Sequence, residues 1–312
     1  MAASRWTLPV GLLAGTLLDL ALADPRRGHP VAAFGQVAAA LERRVWADSR
    51  RSGAVYGGAL VSAAGLTGVV LARTARTPLP AIAMTAAGTW AVLGGTSLAR
   101  EGARMRALLA ADDLAGARTR LSHLCGRDAA GLGVAELSRA TVESIAENTS
   151  DAVVAPLFWG AVAGVPGLLA YRAINTLDAM IGHHNERYER FGWAVAKLDD
   201  LVNWVPARLT GFLAAALAGS VDGSPRAAVT AMIRDGGRHP SPNAGQCEAA
   251  FAGALGVRLG GVNRYGDRVE IRGVLGDGRE PTVQDIGRAV RLSRLVGVAA
   301  AILFAMARKV AT

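Results

Sequence analysis

Long uncharged stretches alternate with arginine-rich polar ones along the chain. Gly53–Ala72 is 20 residues without a charge and Leu79–Ala99 is 21. A helix of about 20 apolar residues crosses the roughly 30 Å of a bilayer's hydrocarbon. The short linker Arg73–Pro78 makes these two a helical hairpin. Three further stretches read as spans. Trp6–Ala23 is apolar apart from Asp19, Ala152–Ala170 carries Pro156 and Pro166, and Leu201–Gly219 contains Pro206 and Arg208. A short C-terminal span over 292–307 requires Arg294 to snorkel. Val31–Trp46 and Glu101–Leu124 place apolar residues at helical spacing with arginines opposite, the pattern of amphipathic surface helices. Val257–Leu259 and Arg268–Leu275 alternate around Tyr265-Gly266-Asp267, which predicts one small β-hairpin. The expectation is an all-α, polytopic membrane bundle forming a single domain over residues 1–312.

Composition agrees. Apolar residues make up 51% and charged residues 19%, below the roughly 25% charged share of soluble domains. The mean hydropathy is +0.28. The 38 glycines suit close helix packing in lipid. Net charge is +9, and Lys197 and Lys309 are the only lysines. The arginines are scattered between apolar runs and form no continuous stripe, so the partner implied is membrane lipid and not nucleic acid. Most of them fall in 24–52, 100–151 and 220–294, which positive-inside bookkeeping places in the cytoplasm. Strict alternation then sets 171–200 on the opposite side. Ala21-Leu22-Ala23 before Asp24 has the look of a signal-peptide cleavage site, but Asp19 interrupts the apolar run, and we read Trp6–Ala23 as an uncleaved span. Cys125 and Cys247 lack CxxC partners and read as incidental.

Polar residues gather in five places beside the apolar runs. Asp24-Pro25-Arg26-Arg27-Gly28-His29-Pro30 is a stiff turn whose Arg26 and His29 suit phosphate or carboxylate, or simply a basic loop. Glu143, Glu147 and Asp151 stand at i, i+4 and i+8, within about 80° of each other on a helix. Like charges at that spacing repel. Hard oxygen ligands in this number suit Mg²⁺ shared with substrate phosphates; a solvated helix face is the plainer alternative. Asn175 and Asp178 share a face, while His183 and His184 point apart and make a poor metal pair. Asp199 and Asn203 are four apart, and Arg208 follows Asp200 at i+8, so Arg208 is either functional or a structural partner of Asp200. His239 to Glu248, with Asn243 within it, is a rigid turn feeding a small-residue helix whose N-terminal amides suit an anion. No G-x-x-x-x-G-K-[ST], G-x-S-x-G or H-E-x-x-H occurs, so any ATP is held without a Walker loop.

These clusters, in this order, resemble the adenosylcobinamide-phosphate synthases, membrane proteins of cobalamin biosynthesis. The resemblance runs from Asp19 to about Val296. It is carried by LLDLALADPRRGHPV, ATVESIAENTSDAVVAPLFW, YRAINTLDAMIG, ERFGWAVAKLDDLVNWVPARLTG and HPSPNAGQCEAAFAGALGVRLGG. It implies a ligase dependent on ATP and Mg²⁺ that joins adenosylcobyric acid to aminopropanol phosphate (or aminopropanol), working beside other late cobalamin-assembly membrane enzymes. Under that reading Glu143, Glu147 and Asp151 hold the metal. Asp178, Asp199, Asp200 and Arg208 are catalytic candidates, and Arg26, His29, Asn148, Asn175, Asn203 and Asn243 bind the nucleotide. The competing reading is a membrane transporter or binding protein for a corrinoid or another anion. The absence of an internal repeat in the sequence weighs against it.

Overall fold

A computed structural model describes residues 6–25, 28–183, 185–265 and 268–311. Twelve α-helices run in chain order among them: α1 Thr7–Leu22, α2 Pro30–Val45, α3 Arg50–Thr74, α4 Pro78–Val92, α5 Gly95–Ala110, α6 Leu114–Leu121, α7 Val134–Thr149, α8 Ala155–Ile181, α9 Trp193–Leu217, α10 Pro225–Asp235, α11 Ala244–Leu255 and α12 Val283–Ala311. Strands β1 (Leu259–Tyr265) and β2 (Arg268–Leu275) form one antiparallel pair. Local chemistry sets several helix starts. Proline opens α2, α4 and α10, where the missing N–H costs nothing. Asp113 caps α6 by accepting from the Gly116 N–H at 2.8 Å, and Ser224 caps α10 through Ala227.

Five helical stretches are long and apolar enough to cross a membrane: Arg50–Thr74, Pro78–Ala110, Val134–Ile181, Trp193–Val221 and Val283–Val310. The protein is therefore a multi-pass membrane protein. Several expected boundaries change. The 79–99 span breaks at Leu93, whose extended backbone ends α4 before α5 begins. The amphipathic 101–124 segment is divided by Asp112, which adopts a positive φ, into α5 and α6. The 201–219 span starts earlier, at Trp193, and the short C-terminal one is the interior of the 29-residue α12. In the hairpin the first strand lies later than expected, at 259–265, while Val257 forms an isolated bridge with Arg279. Gly266 and Asp267, expected at its turn, lie outside the described residues.

The chain sorts into two compact units. The first comprises residues 1–94, 155–203 and 300–312; the second comprises 95–154 and 204–299. In the first, α1 packs on α4, and α3 and α4 pack on α8. Its core cluster joins Ala38, Tyr56, Leu60, Leu177, Ile181, Phe191 and Val195. Val55, Leu66 and Val70 of α3 face outward, as a lipid-facing helix surface would.

Within α8 the expected 152–170 span does not form a rod. Gly164 takes φ 65° and ψ −149°, a conformation open essentially to glycine alone, and Pro166 withholds the next N–H. The chain folds back there: a Cβ on Gly160 would lie 2.8 Å from Leu168, eight residues on. Strict alternation does not hold within the first unit, where Arg187, Tyr188 and Phe191 lie against residues 42–53. Arg187 donates to Glu42 at 2.8 Å and Tyr188 to the same carboxylate at 3.0 Å. The Trp46 indole donates to the Arg187 carbonyl, and Gly53 abuts the Phe191 backbone so closely that a Cβ would collide with it.

In the second unit, α7 packs on α5, α6 and α11, and α11 packs on α10. Leu137, Ile145, Met105, Leu121, Phe251 and Leu292 are fully buried there. The ladder pairs Val262 with Ile271 and Gly261 with Arg272, with an irregularity between Leu259 and Gly261. Gly260 and Gly261 both carry positive φ at this bulge.

Candidate functional site

The second unit holds a buried cluster of charges built from four elements. From α7, Glu143 presents a carboxylate that is almost wholly buried. Its Oε2 accepts from Arg127 at 2.6 Å, and its Oε1 accepts from Arg139 at 3.2 Å and from the Gly260 N–H at 2.7 Å. Arg139 also donates to the Gly260 carbonyl, to Asn263 Oδ1 at 3.1 Å and to the Val262 carbonyl at 3.0 Å. It thereby fastens α7 to the β1 bulge. Glu147, one turn on and half-buried, makes no hydrogen bond or ion pair among the described residues.

The expected ligand triad of Glu143, Glu147 and Asp151 does not form. Among the described residues no group of three His, Cys, Asp or Glu side chains has an arrangement able to hold a metal. The reasons are local. Glu143 has both oxygens committed to arginines and a backbone amide. After Thr149 the helix widens into a π turn over Ser150–Val154, and Asp151 on it and Glu147 both lie near Cys247. Asn148 spends its amide on the Ser144 carbonyl and hydroxyl, 2.9 and 3.2 Å away.

Opposite α7, α11 brings Glu248 into the same cluster. Its side chain is fully buried, and neither oxygen accepts a hydrogen bond. The nearest basic side chains are His239, its Nε2 at 3.6 Å, and Arg272, its Nη1 at 3.9 Å. Burial, and then the neighbouring Glu143 and Glu147, push the Glu248 carboxyl well above the usual carboxylate range against the pull of Arg272. His239 Nδ1 accepts from the Ser241 N–H at 3.0 Å, so a neutral ring carries its proton on Nε2, towards Glu248. Burial, with help from Arg272, pulls this imidazole down to about 4. Burial likewise raises the Cys247 thiol, which leaves it unreactive.

The His239 shift has a defined consequence for pH. As pH falls from about 6.5 towards 4 the unfolded chain takes a proton on this ring and the folded chain does not. The histidine's contribution to stability is thus present above about 6.5 and lost on acidification, by about 3 kcal/mol across the window at about 1.4 kcal/mol per unit. Glu248 works in the opposite sense, contributing most below about 4.5 and less as pH rises. His239→Asn should flatten the fall in thermal stability of detergent-solubilised protein between pH 6.5 and 4.5. An acid limb as steep as that of the wild type would contradict this.

The remaining candidates are placed as follows. Arg208 stacks 4.1 Å over the Trp204 ring and donates to the Trp204 carbonyl at 2.8 Å and to Asn243 Oδ1 at 3.4 Å. The expected anion seat at the start of α11 is already served from within, because the amides of Asn243 and Ala244 face the Ser241 hydroxyl. In the first unit, the Tyr171 hydroxyl donates to Asn203 at 2.9 Å, and Asn203 donates to Asp199 at 2.9 Å. Asp199 also interacts with Asn175 and faces Asp178, while Asp200 sits 3.8 Å from Lys197. His29 is a helix cap, accepting from the Val31 N–H at 3.1 Å with Asp24 3.4 Å away. Arg26 and His184 lie outside the described residues. Sequence reasoning gave no role to Arg127, Arg139, Arg272, His239 or Glu248. His239 and Glu248 stood inside a quoted motif; Arg127, Arg139 and Arg272 carried no local signal.

Residues 12–293 match the CobD/Cbib protein family. The chain is 57% identical over 307 residues to the cobalamin biosynthesis protein CobD of Mycobacterium tuberculosis, covering 98% of each. It is 45% identical over 282 residues to the protein of that name from Geobacter metallireducens, covering 86% of this chain and 87% of the relative. The Rhodobacter capsulatus counterpart is 44% identical over 287 residues, covering 89% and 90%. No solved structure matches the chain.

Proposed function

The chain belongs to the CobD/Cbib family, and on that premise we propose that it is an ATP-dependent acid–amine ligase of cobalamin biosynthesis. The reaction joins the free propionate carboxylate of adenosylcobyric acid to the amine of aminopropanol phosphate, or of aminopropanol, giving an amide. The observation that supports the chemistry is the buried cluster of Arg127, Arg139 and Arg272 around Glu143, Glu147 and Glu248. Charges at such depth are costly to retain and mark functional sites.

A carboxylate acylates poorly until it is activated. Transfer of the terminal phosphoryl group of ATP to the propionate gives an acyl phosphate and ADP. The amine, having lost one proton from its ammonium form, attacks the acyl carbon, and inorganic phosphate leaves with the second. Both steps need charge neutralised in a dry site, which fixed arginines supply. A resident metal cage does not fit the residues present. Mg²⁺ carried on nucleotide phosphates needs only one or two protein carboxylates, and Glu147 and Asp151 are the two suited to it, neutralising phosphate charge. Arg208, held over Trp204 and beside Asn243, answers substrate carboxylate or phosphate. Within the first unit, Asp199, steadied by Asn203 and Asn175 and facing Asp178, forms with it a carboxylate pair suited to take up a proton. We place this chemistry on the cytoplasmic side of the cell membrane, a reading supported by the excess of arginine in 24–52, 100–151 and 220–294.

Purified protein in detergent, given adenosylcobyric acid, ATP, Mg²⁺ and aminopropanol phosphate, should form amide and ADP in equal amounts, and excess chelator should stop both. Corrinoid uptake into sealed vesicles with no covalent change would sink the ligase reading in favour of transport.

A further inference from the structure

The arginines at one end of the first unit are only partly neutralised. Residues 42–53, which close α2 and open α3, lie against residues 185–193, which lead into α9. Together the two stretches hold six arginines and four carboxylates, an excess of positive charge. Arg187 pairs with Glu42 at 2.8 Å and Arg190 with Asp48 at 3.3 Å. Arg43, Arg44, Arg50 and Arg51 are exposed and make no ion pair or side-chain hydrogen bond among the described residues. We propose that this end of the unit binds the headgroup of an anionic phospholipid, its phosphate at Arg50 and Arg51 and its acyl chains along the outward faces of α3 and α9. The site stands apart from the ligase chemistry and uses none of its residues.

Depth comes first. Both α3 and α9 are long and apolar enough to span, and they start side by side: Gly53 abuts the Phe191 backbone, and a Cβ on Gly57 would lie 2.5 Å from Val195. Between Arg51 and Arg73 the chain carries no charge, so Arg50 and Arg51 mark the edge of the hydrocarbon. Below them the surface is open and apolar. Val55 is 66% exposed one turn along α3 from Arg51, and Leu201 is 72% exposed two turns along α9 from Trp193. Two turns are about 11 Å, inside the roughly 15 Å that one leaflet contributes to the hydrocarbon. A chain descending from the headgroup therefore meets both residues. The aromatic residues fix the level. Trp46 and Trp193 are both exposed, and indole rings settle at the headgroup region. The Arg50 guanidinium lies 4.9 Å over the Trp193 ring. A ring holds the guanidinium in place without neutralising it, which leaves its N–H donors for a phosphate. Cations directly above an uncharged apolar face fit a molecule with an anionic head and a hydrocarbon tail, not a soluble anion.

The test is native mass spectrometry of the full chain, released from micelles holding equal amounts of phosphatidylglycerol and phosphatidylcholine with matched chains. The wild type should retain phosphatidylglycerol in preference. Arg50→Gln should weaken that preference about 5-fold, and Arg50→Gln with Arg51→Gln about 25-fold, as expected for arginines facing an anionic headgroup. Neither change breaks an ion pair, so thermal stability should hold. Trp193→Leu keeps every charge but frees Arg50, and should also weaken the preference. Arg73→Gln with Arg76→Gln, at the far end of α3, should leave it unchanged. Full preference in the Arg50/Arg51 double variant, no effect of Trp193→Leu, an equal loss in the far-end variant, or displacement of the lipid by glycerol 3-phosphate would each overturn the assignment.

Discussion

Glu143→Ala is expected to lower folding stability by about 3–5 kcal/mol, the cost of removing one partner from a buried ion pair. The residue left behind explains the size. The Arg127 side chain is 4% exposed and meets Glu143 at 2.6 Å, so the substitution takes its closest carboxylate from a guanidinium held in a low-dielectric interior. It also withdraws the acceptor from the Gly260 N–H at the β1 bulge. A metal ligand on a repulsive acidic face would behave differently, since its removal would relieve repulsion and cost little. Denaturant unfolding of the solubilised protein separates the two, and a loss under about 1 kcal/mol would refute the structural role. Replacing Glu143, Arg127 and Arg139 together by apolar residues of similar volume should recover much of the loss, because the paired charges then leave together.

Glu147→Gln should show the converse, a fall in turnover of roughly 100-fold with stability altered by no more than about 0.5 kcal/mol. Glu147 makes no ion pair or hydrogen bond among the described residues, so the amide breaks none. The change removes a charge where phosphate and metal must be accommodated, so the Mg²⁺ concentration required should also rise. Amide formation measured against Mg²⁺ at matched protein levels gives the answer. Curves that coincide would make the α7 carboxylates scaffolding and direct the search to Asp178, Asp199 and Asp200.

The contrast between these neighbours on one helix shows what the chain discloses by itself. Uncharged runs located the membrane helices because length and hydropathy are local properties. They did not disclose the break at Gly164, since a glycine two places before a proline is as apolar as its surroundings; only the Gly164–Pro166 spacing hinted at it. Helical spacing aligned Glu143, Glu147 and Asp151, but spacing is blind to the π turn that follows Thr149. It is blind also to the arginines that claim Glu143. Arg127 lies in a loop and Arg272 on a strand, and each reaches the cluster through contacts distant in sequence. Glu248 stood in a quoted motif, yet its isolation among apolar alanines became meaningful only with its burial.

The reversal at Gly164 also bears on how the chain is made. Irregular backbone at membrane depth is stable only where protein, not lipid, surrounds it. Here the surroundings come from earlier residues. Gly68 of α3 touches Pro166, and Leu12 of α1 lies against Gly160. Since α1, α3 and α4 leave the ribosome before residue 155 is translated, a cleft of protein stands ready when the folded-back segment emerges. Moving the gene's start to a point between α4 and α8, so that 155–181 is synthesised first, should leave that segment without a seat and send the nascent protein to degradation.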